Sequence, residues 1–306
     1  MNKNTYTSET LVISYNQSNY IDDAVSSALL QKTNYPFATT AFDDCSNDST
    51  FEILKNLKNS NQRSLDIFSN LSNLGVGKNF HRALSCSGAK YVAILEGDDY
   101  WIDPGKLDIQ IKAMEENPEA SFCFTDVAVE KNGERESIHP NLGGKIRLFR
   151  AIDLADQTGS IAQTCSLLIR RKFLQNLPDW VLNSYTLDWC LQIFLTNQGP
   201  AIYIPQTTAV YRIHDQGVWS KLDTFEGWRK NLEFYETVKA KFHKRSERKR
   251  IKKRIYTLIF ESLEFANVQA NKKEIRYWIS IKLKKFSFFP ILQILHSLRL
   301  LALLND

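Results

Sequence analysis

An apolar run that ends abruptly in a cluster of acids is the feature that most constrains this chain. Residues 91–95 read Tyr-Val-Ala-Ile-Leu, which is typical of a strand buried on both faces. Glu96, Asp98 and Asp99 follow at once, where the strand should end. Ligands of open α/β sheets bind outside the carboxyl ends of the strands. Because neighbouring carboxylates repel one another, the cluster indicates a site for Mg²⁺ or Mn²⁺, although Gly-Asp-Asp is also common turn chemistry.

Strands and helices alternate through the first half of the chain. Short apolar strands are predicted at residues 10–14, 39–42, 65–68 and 91–95. Between them lie segments with helical periodicity, at residues 21–29, 49–57 and 75–87. This alternation predicts an α/β fold with a mainly parallel, doubly wound central sheet.

The next hundred residues are less regular. Further helices are predicted at residues 106–117 and 187–199 and after Arg170, and further strands at residues 121–129, 166–169 and 201–213, the last interrupted by Pro205. Residues 131–160 contain Asn-Gly, His-Pro and Gly-Gly pairs, which predict a loop-rich stretch.

The composition changes after Ser220. Residues 221–306 contain 20 Lys and Arg against 9 Asp and Glu, a net charge of +11, whereas residues 1–220 carry −6. We therefore predict a catalytic domain over residues 1–220 and a basic, mostly helical region over residues 221–306. The aromatic residues of this region either enter a lipid interface or pack in a helical bundle, and the sequence leaves both open for Trp278, Phe286, Phe288 and Phe289.

Cysteine usage and the first residues predict the compartment. The five cysteines are scattered and form no Cys-x-x-Cys pair, which favours reduced thiols over a disulfide or zinc framework. Residues 1–9 are polar and contain no apolar core of a signal peptide, and no run has the length of a transmembrane helix. We expect a cytoplasmic protein.

Three more polar positions are candidates for the same site. Asp44 follows the second predicted strand, so it should reach the same sheet edge as Asp98, although a helix-capping role with Ser46 is the alternative. Asp188 begins a predicted helix, where an acid also compensates the helix dipole. His214 follows the last strand and is, taken alone, more often a plain histidine than a ligand.

The order of these motifs carries a resemblance. Six segments occur along the chain in a fixed order: Tyr15-Asn16, Asp43-Asp44-Cys45-Ser46, the glycine-containing residues 73–79, the acidic residues 96–101, Leu187-Asp188-Trp189 and Tyr211-Arg212-x-His214. Over roughly residues 9–220 the chain resembles the inverting GT-A-fold glycosyltransferases of the large family two, of the bacterial surface-polysaccharide type. The resemblance implies a Rossmann-like nucleotide-binding half joined to an acceptor half, followed here by a C-terminal helical extension.

The resemblance also implies roles for single residues. It places the nucleoside and phosphates of the donor against Ser14, Tyr15, Asn16, Asp44, Lys78 and Asp98. Asp98 would bind Mn²⁺ or Mg²⁺, with Glu96 and His214 as further metal ligands. Asp188 would be the catalytic base.

The activity that the resemblance implies is transfer of a hexosyl or N-acetylhexosaminyl group with inversion. The donor would be a nucleotide-sugar, most often a UDP-sugar, and the acceptor a glycan or lipid-linked hydroxyl in surface-polysaccharide or glycolipid assembly. The basic region would then contact an anionic membrane surface at the inner face of the cytoplasmic membrane, or mediate a homo-oligomer.

Three other functions remain open from the sequence. A nucleotidyltransferase would show a glycine-rich loop after the first strand, and residues 15–19 contain no glycine. A nucleic-acid-binding protein is suggested by the basic region, but no reading motif accompanies it, so we expect no nucleic-acid partner. A nucleotide-binding scaffold without catalysis would keep the fold and show no turnover.

Overall fold

The computed structural model describes residues 6–60, 65–157, 159–217 and 220–285. In the first part strands and helices alternate as β1 Ser8–Ser14, α1 Ile21–Leu29, β2 Phe37–Asp43, α2 Thr50–Ser60, β3 Leu65–Ser69, α3 Val76–Cys86 and β4 Tyr91–Glu96. The middle part contains β5 Tyr100–Trp101, α4 Lys106–Glu116, β6 Phe122–Lys131, β7 Glu134–His139, β8 Arg147–Phe149, α5 Ala151–Ala155, β9 Leu168–Arg170, α6 Asp179–Leu182, α7 Leu187–Thr196 and β10 Ala201–Ile213. Three longer helices follow, α8 Thr224–Lys239, α9 Arg245–Val268 and α10 Lys272–Lys285.

The described strands form one mixed sheet in the order β3-β2-β1-β4-β9-β6-β10-β5, with β7 beside β6 and β8 beside β10. Strands β1 to β4 run parallel, β9 pairs antiparallel with both β4 and β6, and β10 runs parallel to β6. The predicted α/β class with a mainly parallel central sheet and C-terminal helices is confirmed.

The sheet is covered by helices whose apolar residues recur at helical spacing. In α1 the buried residues are Ile21, Ala24, Val25, Ala28 and Leu29, which form one continuous stripe. They join the core that includes Val12 of β1 and Leu95 of β4, both fully buried. This packing holds the carboxyl ends of β1 and β4 at the same height, which positions the residues that follow them.

Three predictions about local structure were wrong. The stretch 131–160 contains β7, β8 and α5: β7 forms a hairpin with β6 across Asn132-Gly133, and β8 pairs with the distant β10. After Arg170 the chain makes only a 3₁₀ turn, Arg171–Leu174, where a helix was expected. Pro205 does not interrupt the last strand, because register shifts between Ile204 and Ala209 take up the missing backbone donor.

The chain divides after Gly217 into two units. In the second unit Asp223 caps α8 by accepting a hydrogen bond from Glu226 N at 2.8 Å. Aromatic rings of α8 and α9 also meet, with 5.3 Å between the ring centroids of Trp228 and Phe265. Among the described residues no helix combines the length and the apolarity needed to cross a bilayer.

Trp278 is completely buried within this helical unit, so its predicted alternative, a place in a lipid interface, is wrong. Its indole packs edge-on against Tyr277, with 5.1 Å between ring centroids. The residues Phe286, Phe288 and Phe289, for which the same alternative was open, lie outside the described residues.

Candidate active site

The strand register brings the polar residues of β1, β2 and β4 to one edge of the sheet. Ser14 pairs with Asp43 of β2, and Ile13 pairs with Glu96 of β4. All three strands run parallel, so their carboxyl ends open on the same side. The acidic turn, residues 96–99, therefore starts directly beside the end of β1.

Gly97 is what allows this close approach. Its N–H donates to Ile13 O at 2.9 Å, which ties the acidic turn to β1. A Cβ atom at this position would lie 2.4 Å from Gln17 Oε1 and 3.0 Å from the Ser14 Cβ. A larger residue would therefore push the acidic turn away from the end of β1.

Asp98 and His214 meet at this edge. The imidazole Nε2 lies 3.1 Å from Asp98 Oδ2, although the two residues are 116 positions apart. Both side chains are partly exposed, 20% for Asp98 and 14% for His214, so both remain open to a ligand. The Tyr20 ring packs against the imidazole at a centroid distance of 4.7 Å and fixes its orientation.

The other two acids of the turn, Glu96 and Asp99, are desolvated beside Asp98, which disfavours their charged forms. Burial, reinforced by the charge of Asp98, raises the pKa of Glu96 to about 8, although a hydrogen bond from the Thr164 side chain opposes the shift. Asp99 is only 2% exposed, and burial followed by the charges of Asp98 and Glu96 raises its pKa as well. A cation at this turn would relieve the repulsion.

The donor atoms fit a divalent cation. Carboxylate oxygen suits Mn²⁺ and Mg²⁺, imidazole nitrogen is a common ligand of divalent transition metals, and Asp98 with His214 supplies one donor atom of each kind. In addition, Glu96 Oε2 is buried and has no hydrogen-bond partner among the residues that the structure describes. Within the described ranges no three His, Cys, Asp or Glu side chains are arranged to hold one ion. Substrate phosphates would have to complete the coordination, as is usual for ions of this kind.

The loop after β1 contributes the predicted nucleoside-binding residues. Tyr15 is 41% exposed, so its ring is available for stacking. Asn16 adopts a left-handed backbone with φ of 54°, and its N–H donates to Ser46 Oγ at 2.9 Å. Ser14 is 2% exposed, and its buried Oγ has no protein partner in the described structure. The structure thus brings these residues together beside the acidic turn.

Asp44 is placed at the same edge but is already engaged. Its Oδ1 accepts from Leu74 N at 2.9 Å and from Asn70 Nδ2 at 2.6 Å, and its Oδ2 accepts from Gly75 N at 2.8 Å. With only 3% exposure, it ties the loop before α3 to the end of β2. Lys78 lies in the first turn of α3 and is exposed. Direct contact of either residue with a nucleotide stays a prediction.

Asp188 lies in the first turn of α7 and is partly buried. Burial raises its pKa above the usual range of an aspartate. The charge of Asp188 in turn contributes to the raised pKa values of Glu96 and Tyr211, so the start of α7 acts electrostatically on the acidic turn. The role of Asp188 as a base near the acceptor stays a prediction.

The structure also adds residues that sequence reasoning did not assign to the site. Arg212 contacts Asp23, Glu130 and the Asp98 carbonyl. Thr164 donates to Glu96 from a 3₁₀ turn. The Tyr-Arg-x-His motif could have pointed to Arg212, whereas nothing in the sequence around Thr164 marks it.

Comparison with known sequences identifies relatives of this chain. Residues 10–177 match the family model described as glycosyl transferase family 2. The uncharacterized protein Rv1520 of Mycobacterium tuberculosis is 34% identical over 208 residues, which is 68% of this chain and 59% of that protein. This chain thus spans about three fifths of the length of the first curated relatives. The Escherichia coli UDP-Glc:alpha-D-GlcNAc-diphosphoundecaprenol beta-1,3-glucosyltransferase WfaP is 31% identical over 122 residues, 40% of this chain and 46% of that enzyme.

Comparison with solved structures identifies the fold. The S. aureus TarS fragment 1–349, solved with UDP-GlcNAc, superposes with a TM-score of 0.71 at 14% identity, covering 93% of this chain and 82% of that one. The mannosyltransferase PcManGT of Pyrobaculum calidifontis, solved with GDP-Man and Mn²⁺, gives a TM-score of 0.61 at 14% identity, covering 97% and 81%. At this identity the likeness shows the fold alone, and the predicted GT-A fold is confirmed.

Proposed function

Because the chain belongs to glycosyl transferase family 2, we propose that it transfers a sugar from a nucleotide-sugar donor to an acceptor hydroxyl with inversion of the anomeric carbon. The observation that carries the proposal is the Asp98–His214 pair at the end of β4, 3.1 Å apart, beside the buried and unpaired oxygen of Glu96. A UDP-sugar is the proposed donor, since the TarS structure was solved with UDP-GlcNAc.

The donor would lie along the edge formed by β1, β2 and β4. The nucleobase would stack on the exposed ring of Tyr15, and the ribose would bind Ser14 Oγ and the Asn16 loop. Asp44 would shape the pocket through its contacts to Leu74 and Gly75. Lys78 would attract the phosphates from the first turn of α3.

The metal site would be formed by Asp98 and His214, with Glu96 next to them. Mn²⁺ or Mg²⁺ is the proposed cofactor, and PcManGT was solved with Mn²⁺. When bound, the ion neutralises the charge that develops on the diphosphate leaving group. The protein's part is to keep two unlike donor atoms, Asp98 Oδ2 and His214 Nε2, at fixed positions.

Asp188 would act as the general base. Its carboxylate accepts the proton of the acceptor hydroxyl while the acceptor oxygen bonds to the anomeric carbon and the bond to the diphosphate breaks. Burial favours this role because a raised pKa makes the carboxylate a stronger base. A single carboxylate suffices, since the diphosphate leaves without a proton.

The proposed acceptor is a glycan or lipid-linked saccharide of surface-polysaccharide or glycolipid assembly. WfaP, by its name, uses a diphosphoundecaprenol-linked acceptor. The net charge of +11 in residues 221–306 supports a place at an anionic membrane surface on the cytoplasmic side. A homo-oligomer formed through the helical unit is the alternative use of that region.

The experiment is a screen of UDP-, GDP- and dTDP-sugars for Mn²⁺-dependent release of the nucleoside diphosphate. We expect the wild type to turn over donors of one nucleotide class. The Asp98→Asn variant should turn over none of the donors. Asp66→Asn, a partly exposed acid in mid-strand on β3, is the matched control and should keep full turnover. Full activity of Asp98→Asn would remove the metal proposal, and no turnover of any donor would favour a scaffold.

A further inference from the structure

Arg212 connects several elements around the acidic turn. It lies near the end of β10, two residues before His214, and its side chain is 13% exposed. Its Nε donates to Glu130 Oε1 at 3.2 Å, its Nη1 to Asp98 O at 3.1 Å and its Nη2 to Asp23 Oδ2 at 2.5 Å. One guanidinium thus joins β6, the acidic turn and α1.

Two aromatic rings complete the surroundings of this guanidinium. The Tyr100 ring lies 4.2 Å from its central carbon, and the Tyr20 ring lies 5.3 Å from it. Both rings also serve the site elsewhere: Tyr100 Oη donates to Glu130 Oε2 at 2.9 Å, and Tyr20 packs on His214. The three hydrogen bonds and the two ring contacts together fix the orientation of the Arg212 side chain.

These contacts argue against a direct role in binding phosphate. Each of the three guanidinium nitrogens already donates to a protein oxygen, and two of the acceptors are carboxylates. The charges of Asp23 and Glu130 together exceed that of the guanidinium, so the group as a whole does not attract an anion. An arginine that is bound in this way fixes the geometry of its neighbours instead.

The neighbours that it fixes are the two proposed metal ligands. The Arg212 side chain holds the Asp98 carbonyl, and its backbone N–H donates to Asp99 Oδ1 at 2.9 Å. His214 follows on the same chain segment and reaches Asp98 Oδ2 at 3.1 Å. Both members of the Asp98–His214 pair are thus linked to Arg212. Asp98 accepts a hydrogen bond from the Arg212 side chain, and His214 follows Arg212 by two residues on β10 and the segment after it.

We propose that Arg212 is a positioning residue that holds the Asp98 carboxylate and the His214 imidazole at the separation a divalent cation requires. The inference rests on the proposed function, because it concerns the same metal site. Outer contacts of this kind typically change metal affinity by about 10- to 100-fold when they are removed. Lysine cannot replace the planar fork, since a single ammonium cannot reach three separate elements.

The test is binding of Mn²⁺ and UDP to the full-length protein, measured by calorimetry and by the EPR signal of free Mn²⁺. We expect Arg212→Lys to weaken Mn²⁺-dependent UDP binding by about 10- to 100-fold. The affinity for UDP in EDTA should be the same as in the wild type. An arginine with a merely structural role would lower UDP binding equally with and without Mn²⁺, and that result would overturn the proposal.

A double-mutant cycle separates action through Asp98 from general damage. In an Asp98→Asn background, Arg212→Lys should leave the remaining UDP affinity unchanged, because the carboxylate it positions is already gone. Additive losses in the two variants would overturn the proposal. Glu130→Gln gives a second route if Arg212→Lys does not fold, since it removes the charge that anchors Nε and should also weaken the Mn²⁺-dependent binding.

Arg170→Lys is the matched control. Arg170 is also a buried arginine of the sheet that lies against a tyrosine ring, but it donates to backbone carbonyls of Ala120 and Met114, away from the acidic turn. Its substitution should lower thermal stability and leave Mn²⁺–UDP binding of the folded protein unchanged. If the wild type binds Mn²⁺–UDP and Arg212→Lys binds it equally well, this inference fails while the proposed function stands. If the wild type binds none of UDP, GDP and dTDP in a Mn²⁺-dependent way, the metal proposal itself fails.

Discussion

Burial shifts the pKa of two single side chains, Asp188 and Lys106, in opposite directions. Asp188 is desolvated at the start of α7, and its pKa is raised as a result. Lys106 is completely buried, with its Nζ 2.7 Å from Gln110 Oε1 and 4.2 Å from the Trp101 ring centroid. Asp188 is the residue that we propose as the base, and Lys106 is an amine buried in the core, where its neutral form is favoured.

Asp188→Asn should reduce turnover by about 10²- to 10⁴-fold, the usual contribution of a general base. Donor affinity should stay close to that of the wild type, because the substitution keeps the shape of the side chain and no contact with the nucleoside edge is lost. Steady-state kinetics with a donor identified in the screen, together with equilibrium binding of UDP, measure the two quantities.

Asp179→Asn is the control for the helix-dipole role of Asp188. Asp179 is an exposed acid in the first turn of α6, where it has the same electrostatic relation to a helix N-terminus. Asp179→Asn should lower the free energy of unfolding by at most about 1 kcal/mol and leave turnover unchanged. If Asp188→Asn loses donor affinity while turnover is kept, Asp188 binds the donor and is not the base.

Lys106 should make the stability of the protein depend on pH in the alkaline range. Burial lowers its pKa from 10.5 to about 8 in the folded state. Between these values the unfolded chain carries the proton and the folded protein does not, so unfolding takes up a proton and becomes less favourable as pH rises. Relative to Lys106→Met, the wild type should gain up to roughly 1.4 kcal/mol per pH unit in this window.

Denaturant unfolding of both proteins at pH 7.5 and pH 9.5 checks this expectation. Lys112→Met, an exposed lysine on the same helix, is the control and should behave as the wild type does. A difference between wild type and Lys106→Met that stays constant over the range would mean that the ammonium keeps its ordinary pKa in the core.

At the level of elements, α9 has an unusual distribution of charge. Its apolar face, which includes Ile251, Ile255 and Leu258, is buried. Its first turns carry exposed basic side chains at Arg245, Arg248, Lys249, Arg250, Lys252 and Lys253. Cations at a helix N-terminus oppose the helix dipole, so an anionic partner would stabilise this end of α9.

Replacing Arg248, Lys249 and Lys253 by glutamine should weaken binding of the full-length protein to vesicles that contain anionic lipids. Each basic residue near such a surface contributes about 1 kcal/mol, so the loss should be roughly 100-fold. Co-sedimentation at low salt measures it, and high salt should release the wild type.

A charge-matched control replaces Lys32, Lys131 and Lys145, three exposed lysines of the first unit, by glutamine. It should bind vesicles as the wild type does. Equal losses in both triple variants would show that total charge, and not the basic face of α9, governs binding, and absence of binding by the wild type at low salt would end the membrane proposal.

On the scale of the whole molecule, all residues proposed for the site precede Gly217, where the first unit ends. The central core also lies within that part, from Val12 to Ala209. A unit with its own sheet and core has the means to fold independently.

A protein truncated after Gly217 should therefore fold cooperatively and keep Mn²⁺-dependent UDP binding, while it loses binding to anionic vesicles. Circular dichroism melting and calorimetry measure the first two properties, and co-sedimentation measures the third. An unfolded or aggregated product would show that the first unit does not fold without the residues after Gly217.

The sequence by itself determined the order of strands and helices and the identity of the acidic turn. Those features are local: the apolar residues of α1 recur at a spacing of 3.6, which buries them on one side of a helix, and β4 is a short continuous apolar run, which is typical of a strand buried on both faces. The rule that parallel strands end at one edge was enough to predict that Asp44 and Asp98 share it. The strand β8 was missed because its pairing partner, β10, lies more than fifty residues away, whereas β7 pairs with the adjacent β6 across the Asn132-Gly133 turn that the sequence does contain.

Only the tertiary structure decided which side chains contact one another at this edge of the sheet. The contact between Asp98 and His214 spans 116 positions, and that between Arg212 and Asp23 spans 189. The raised pKa of Glu96 depends on its burial beside Asp98, and the full engagement of Asp44 depends on the loop before α3. Such properties follow from which side chains surround a group and exclude water from it, and that is set by the packing of distant elements rather than by any local pattern.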